Sequence, residues 1–201
     1  MIAIIDYDAG NLKSVEKALV SLGEETIITR NFSEILSADK VILPGVGAFG
    51  DAMAQLKKYE LDKVVHEVAE KETPLLGICL GLQLMFESSE ETQGVEGLHL
   101  LDGHIHRIPD AEGIKIPHIG WNSLEFPKES RLFKGIEDQA YVYFVHSYYL
   151  KAADEAIVAA TTEYSTHIHA AVEHGNIFAC QFHPEKSSTV GLQILQNFAK
   201  L

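Results

Sequence analysis

Short, unbroken apolar runs alternate with stretches in which apolar residues recur every three or four positions. Ile2 to Ile5 is the first run, closed by Asp6-Tyr7-Asp8-Ala9-Gly10-Asn11. Leu12, Val15, Leu19 and Leu22 then fall on one face of a helix that Gly23 stops. Thr26 to Thr29, rich in β-branched residues, predicts a second strand. Val41-Ile42-Leu43 predicts a third, running straight into Pro44-Gly45-Val46-Gly47. Leu61, Val64, Val65 and Val68 mark a further helix, and Leu75 to Ile78 a further strand. Beyond Cys79, residues Leu82, Met85 and Phe86 read as the start of another helix. Continuously apolar strands separated by amphipathic helices predict an α/β fold, with a mostly parallel central sheet covered by helices on both faces. The loops after Ile5, Leu43 and Ile78 then share the edge where such sheets carry their working residues.

From about residue 94 the pattern changes. Strands are expected at His104 to Arg107, Ser123 to Phe126, Tyr141 to Val145, Ile157 to Thr162, Ala170 to Glu173 and Asn176 to Gln181. His174-Gly175-Asn176 suits a hairpin turn. This half predicts an antiparallel extension of the same sheet. Val190, Ile194, Leu195 and Phe198 form one face of a closing helix, with Ser187 or Ser188 available as its cap. No repeat or linker interrupts the chain, so one domain over residues 1–201 is expected.

Composition narrows the function classes. The 201 residues are 46% apolar and 22% charged, ordinary for a globular protein, and carry a net charge of −13. That charge argues against nucleic acid or an anionic membrane as partner. Two cysteines, Cys79 and Cys180, give no disulfide framework and suit a reducing compartment. No signal peptide or membrane-length apolar run appears, so a cytoplasmic location is expected.

The candidate chemistry centres on Gly77-Ile78-Cys79-Leu80-Gly81. A nucleophile flanked by glycines between a strand and a helix is the pattern of a nucleophile elbow, with sulfur replacing a serine oxygen. Most buried cysteines are inert, so the elbow needs a base. His183 suits that role: it lies beyond a buried strand in Phe182-His183-Pro184-Glu185, where Pro184 stiffens the backbone. Glu185 can accept from the imidazole, fixing its tautomer and stabilising the imidazolium. Cys79, His183 and Glu185 thus make an acyl-transfer set. The Leu80 N–H is one oxyanion donor, and the Gly45-Val46-Gly47 backbone, free to approach or flip, supplies a second. His104/His106 and His167/His169 are spaced like paired metal ligands but lack supporting ligands, so neither a metal nor a cofactor is expected. His66, His99 and His174 read as surface residues.

The cysteine and histidine motifs together resemble the signature of the class I (triad) glutamine amidotransferases. Pro44 to Gly47, Pro117-His118-Ile119-Gly120-Trp121-Asn122, Tyr143-Phe144-Val145-His146-Ser147-Tyr148 and His183-Pro184-Glu185-Lys186-Ser187 resemble, more narrowly, the glutaminase subunits of imidazole glycerol phosphate synthases. The resemblance spans essentially the whole chain and implies that family's three-layer sandwich. It implies that Cys79 attacks the glutamine amide to form a glutamyl thioester and that His183 gives a proton to departing ammonia. Gln83 and Glu91 would hold the α-amino end of glutamine, and Ser147 and Tyr148 its carboxylate side. Gly45, Val46, Gly47 and Leu80 would bind substrate and its oxyanion. His118, Ile119, Gly120, Trp121, Asn122 and Lys186 would lie towards a (β/α)8-barrel cyclase subunit that receives the ammonia in a heterodimer.

Asp8-Ala9 departs from the small residue or glycine usual before Gly10-Asn11 in that family, and His167-Ile168-His169 matches no feature of it. Two other readings fit the residues: a glutaminase serving another ammonia-using synthase, of anthranilate or aminodeoxychorismate type, or a catalytically silent binding subunit. The intact Cys79, His183 and Glu185 speak against silence.

Overall fold

The computed structural model describes residues 1–201. The chain runs β1 (Ile2–Ile5), α1 (Leu12–Ser21), β2 (Thr26–Thr29), α2 (Phe32–Leu36), β3 (Lys40–Gly45), α3 (Phe49–Lys58) and α4 (Leu61–Glu70). It continues through β4 (Leu75–Cys79), α5 (Leu80–Leu84), β5 (Ser88–Ser89), β6 (Gly103–Arg107), β7 (His118–Ser123), β8 (Tyr141–His146) and β9 (Tyr148–Ala152). The last elements are β10 (Val158–Tyr164), β11 (Thr166–His174), β12 (Ile177–Cys180) and α6 (Ser188–Ala199).

Ten strands form one sheet in the order β2-β1-β3-β4-β12-β11-β9-β6-β5, with β10 pairing β11. β2, β1, β3, β4 and β12 are mutually parallel, and the antiparallel extension begins at β11. Alternate residues of each central strand face opposite layers: Ala3 and Ile5 enter one core, Ile2 and Ile4 the other. The first core takes Met53, Leu56, Val64 and Val68 from α3 and α4; the second takes Val15, Leu19, Ile194 and Phe198 from α1 and α6. The result is a three-layer α/β sandwich.

β7 and β8 form a separate two-stranded antiparallel ribbon. The strand expected at Ser123 to Phe126 is displaced onto His118–Ser123: Leu124 is buried as core, and Glu125 makes only an isolated bridge to Thr161. The helix after Cys79 is shorter than its apolar spacing suggests, ending at Leu84. Ser187 precedes α6 but does not cap it with its side chain. Its hydroxyl donates to the His183 carbonyl at 2.6 Å and accepts the Tyr143 N–H at 2.9 Å, tying β8 to the turn after β12. No helix is long and apolar enough to cross a membrane.

Candidate active site

β4 lies between β3 and β12, so the carboxyl ends of three parallel strands converge on Cys79. Gly45 is the register partner of Cys79, and Cys180 that of Ile78. Cys79 adopts φ 55° and ψ −109°, unusual for a residue with a Cβ and costing on the order of 1–3 kcal/mol. The surrounding glycines make that turn possible. A Cβ on Gly81 would run into the Leu43 carbonyl oxygen of β3, and one on Gly77 would approach the Gly81 carbonyl at 2.9 Å. Because α5 spans only five residues, its dipole is a minor influence on the sulfur, and the nearest charge partner is an imidazole.

That imidazole belongs to His183, carried to the same sheet edge just past β12. Its side chain is 1% exposed, and Nδ1 donates to Glu185 Oε1 at 2.8 Å. Pro184 opens a short 3-10 turn over Pro184–Lys186 that swings Glu185 back beneath the ring. Burial alone would push the His183 pKa down, but the sulfur of Cys79 and the carboxylate of Glu185 outweigh it and raise the pKa to about 9. Nε2 has no hydrogen-bond partner, which leaves it to exchange a proton with Cys79 or a substrate.

A cavity of about 420 Å³ opens over this pair. Of the residues expected to contact substrate, Val46, Gly47, Leu80, Gln83, Glu91, Ser147 and Tyr148 all line it, as do Cys79, His183 and Lys186. Gly45 lies behind the wall within β3, and Glu185 behind His183. The Gln83 amide nitrogen is committed to the Tyr148 carbonyl at 3.2 Å and to Gln181 Oε1 at 3.0 Å, so only its oxygen can serve a ligand. Glu91 is fixed by the Phe49 N–H, which donates to Oε2 at 2.8 Å. Beside the glycine-rich strand, the buried Tyr7 hydroxyl donates to the Pro44 carbonyl at 2.7 Å, and burial raises its pKa. The end of β3 is thereby held from below while Val46 remains 37% exposed above.

Four contributors have no role in the sequence reading, although Pro117 and His146 stand within its motifs. Gln181 is fully buried, accepts from Gln83 and donates to Cys79 Sγ at 3.7 Å. A polar residue at the end of an otherwise apolar strand is its only signal. Asn11 reaches Glu185 Oε1 at 2.5 Å from the start of α1. His146 lines the cavity and accepts from His118 Nδ1 at 3.0 Å, while its own Nδ1 donates to the Tyr148 carbonyl at 2.8 Å. Pro117 completes that wall.

The stretch assigned to a partner divides in two. His118 is 3% exposed, stacked between Phe144 and Tyr164, so its side chain cannot meet another protein there. Ile119 and Trp121 point outward and are 60% and 51% exposed, with Gly120 and Asn122 half-buried between and beside them. The other histidine pairs are engaged with neighbours: His104 with Ser88, His106 with Glu90, and His169 with the Ala152 N–H. No group of three potential ligands that could hold a metal ion is present.

What this arrangement can do is form and break an acyl bond on sulfur: a strained thiol in the wall of a cavity, a buried imidazole with a free nitrogen, and a carboxylate behind it. The class-I glutamine amidotransferase family model matches residues 3–201. The chain is 53% identical to the imidazole glycerol phosphate synthase subunit HisH of Moorella thermoacetica, over 100% of this chain and 94% of that one. It is 47% identical to the protein of the same name from Methanocaldococcus jannaschii, over the full length of both. A solved glutamine amidotransferase shares the fold, with a TM-score of 0.77 at 19% identity over 100% of this chain and 98% of that one.

Proposed function

The chain belongs to the class-I glutamine amidotransferases, and from that membership we propose that it is the glutaminase subunit of an imidazole glycerol phosphate synthase in histidine biosynthesis. It hydrolyses L-glutamine to glutamate and ammonia, and passes the ammonia to a cyclase subunit. The products there are imidazole glycerol phosphate and an aminoimidazole carboxamide nucleotide. The observation that carries the mechanism is the convergence of Cys79, His183 and the ligand-facing residues on one cavity.

In the first step Cys79, its proton already resting on His183 Nε2, attacks the side-chain carbonyl of glutamine. The tetrahedral oxyanion forms beside the Leu80 N–H and the Gly45–Gly47 backbone, whose donors stabilise it before it collapses. His183 then returns the proton to the departing nitrogen, leaving a glutamyl thioester and ammonia. Water, deprotonated by the same nitrogen, attacks the thioester and releases glutamate. Glu185 stays ionised throughout and orients the ring. Glu91 and the Gln83 oxygen suit the α-ammonium group, while Ser147 and Tyr148 suit the carboxylate end.

The partner is a (β/α)8-barrel cyclase in a heterodimer. Ile119, Trp121 and Lys186, all exposed on the ribbon and at the cavity mouth, support docking on that side. A different ammonia acceptor is disfavoured by full-length identity near 50% to subunits of one synthase.

Cys79→Ala separates the two halves of the reaction. With the cyclase partner and its nucleotide, the variant is expected to lose glutamine-dependent synthesis while synthesis from an ammonium salt continues. Glutamine consumption at the normal rate would show that another group is the nucleophile.

A further inference from the structure

We propose that Asn11 is a positioning residue of the triad, its side-chain amide holding the one Glu185 oxygen that orients His183. The inference rests on Cys79, His183 and Glu185 acting as the hydrolytic set, and assigns the loop between β1 and α1 a part in it.

Glu185 Oε1 receives two donors, Asn11 Nδ2 at 2.5 Å and His183 Nδ1 at 2.8 Å. Its other oxygen is buried and has no partner. The side chain is fully buried, so no solvent corrects its orientation. A carboxylate held at one oxygen by His183 alone can pivot about that bond; a second donor on the same atom stops the pivot.

Asn11 is used against its local preference. It stands directly before α1, where asparagine is among the best side-chain caps, yet it makes no capping hydrogen bond. It adopts φ 73°, a left-handed conformation that asparagine tolerates, and sends its amide to a residue 174 positions away.

The loop that delivers it is clamped. Asp8, also left-handed at φ 67°, accepts from the Tyr59 hydroxyl at 2.5 Å and from Arg30 Nη2 at 2.7 Å. Arg30 also reaches Asp6 at 2.8 Å and lies 4.3 Å over the Tyr59 ring. The departure from the family pattern at Asp8 therefore has a structural use: it anchors the far end of the segment whose near end holds Glu185.

Asn11→Gly removes the amide while permitting the left-handed backbone, and Asn11→Asp keeps the shape but sets a like charge against Glu185. Each full-length variant is assayed with the cyclase partner for kcat and KM on glutamine. Each is also assayed for the pH dependence of Cys79 alkylation by iodoacetamide. The ionisable groups whose charges act across this site are Tyr7, Cys79, His146, Cys180, His183 and Glu185. Asn11→Gly is expected to lower kcat about tenfold with KM within about twofold of normal, and Asn11→Asp to lower it further. The acid limb of the alkylation profile moves to higher pH, because a Glu185 that has turned away supports the His183 imidazolium beside the sulfur less well. In a Glu185→Ala background, where the acceptor of the Asn11 amide is gone, the Asn11→Gly change has no further effect. An equal loss in both backgrounds, or an unchanged kcat and alkylation profile, overturns the proposal. Alkylation needs no glutamine, so it tests Asn11 even if wild-type protein fails to hydrolyse that substrate.

Discussion

Gly81 shows how little room the nucleophile turn has. The residue lets α5 press against β3, where the Leu43 carbonyl occupies the space a side chain would need. That obstacle is backbone in a central strand, so it cannot swing aside as a side-chain tip can. Gly81→Ala is expected to destabilise the fold by about 3 kcal/mol, the upper range for overpacking, and to dislodge Cys79 from its strained conformation. Urea unfolding checks the first effect; a normal midpoint with full glutaminase activity would show that the turn is more yielding than its geometry. The meeting of Cys79, His183 and Glu185 at one sheet edge is legible in the sequence because each has a distinctive chemistry and neighbour. Gln181 and Asn11 are not, since an amide has no signature until the fold shows what it faces.

Elements are legible where the apolar or β-branched pattern is regular. β1, β2 and β4 fall where unbroken apolar or β-branched runs place them, and α4 matches its four buried positions. α3 has no counterpart among the predicted elements although Phe49, Ala52, Met53 and Leu56 recur at helical spacing, because the small Ala52 and the Gly47-to-Gly50 approach make the stripe inconspicuous. β7 is displaced from its expected position because it pairs only with β8 and leaves Ile119 and Trp121 outside, so it lacks a core strand's apolar continuity. The same exposure suits the docking of the cyclase proposed above. Trp121, edge-on to Tyr143 across the ribbon, is expected to act as an anchor. Trp121→Ser should weaken association with the cyclase at least about tenfold while changing monomer stability by less than about 1 kcal/mol. Calorimetric titration measures the first and thermal unfolding the second; undiminished affinity would move the interface elsewhere.

For the molecule as a whole, acid acts through the buried histidine pair. Burial lowers His118 to about 4 and His146 to about 3, so both stay neutral in the fold. In the unfolded chain each takes up a proton as pH falls below about 6.5, and the folded state does not follow. Stability is therefore lost as pH drops from about 6.5 towards 4, by up to about 1.4 kcal/mol per pH unit for each histidine. His183 works at the other end: its folded pKa of about 9 adds stability that is full below about 6.5 and lost as pH rises through 9. Replacing His118 and His146 together by Gln should flatten the acid side of a urea-midpoint profile between about pH 7.5 and 5; an unaltered slope would assign acid sensitivity to the carboxylates instead.

The strand order carries a consequence for the timing of synthesis. β12 slots between β4 and β11, yet it is the last strand made, and His183 follows it directly. While the chain is being translated, Cys79 emerges about a hundred residues before His183, in a sheet whose central gap is still open. On the proposed mechanism the nascent protein is therefore chemically mute until its final segment closes the sheet. Ammonia release begins only when the fold that directs it is complete.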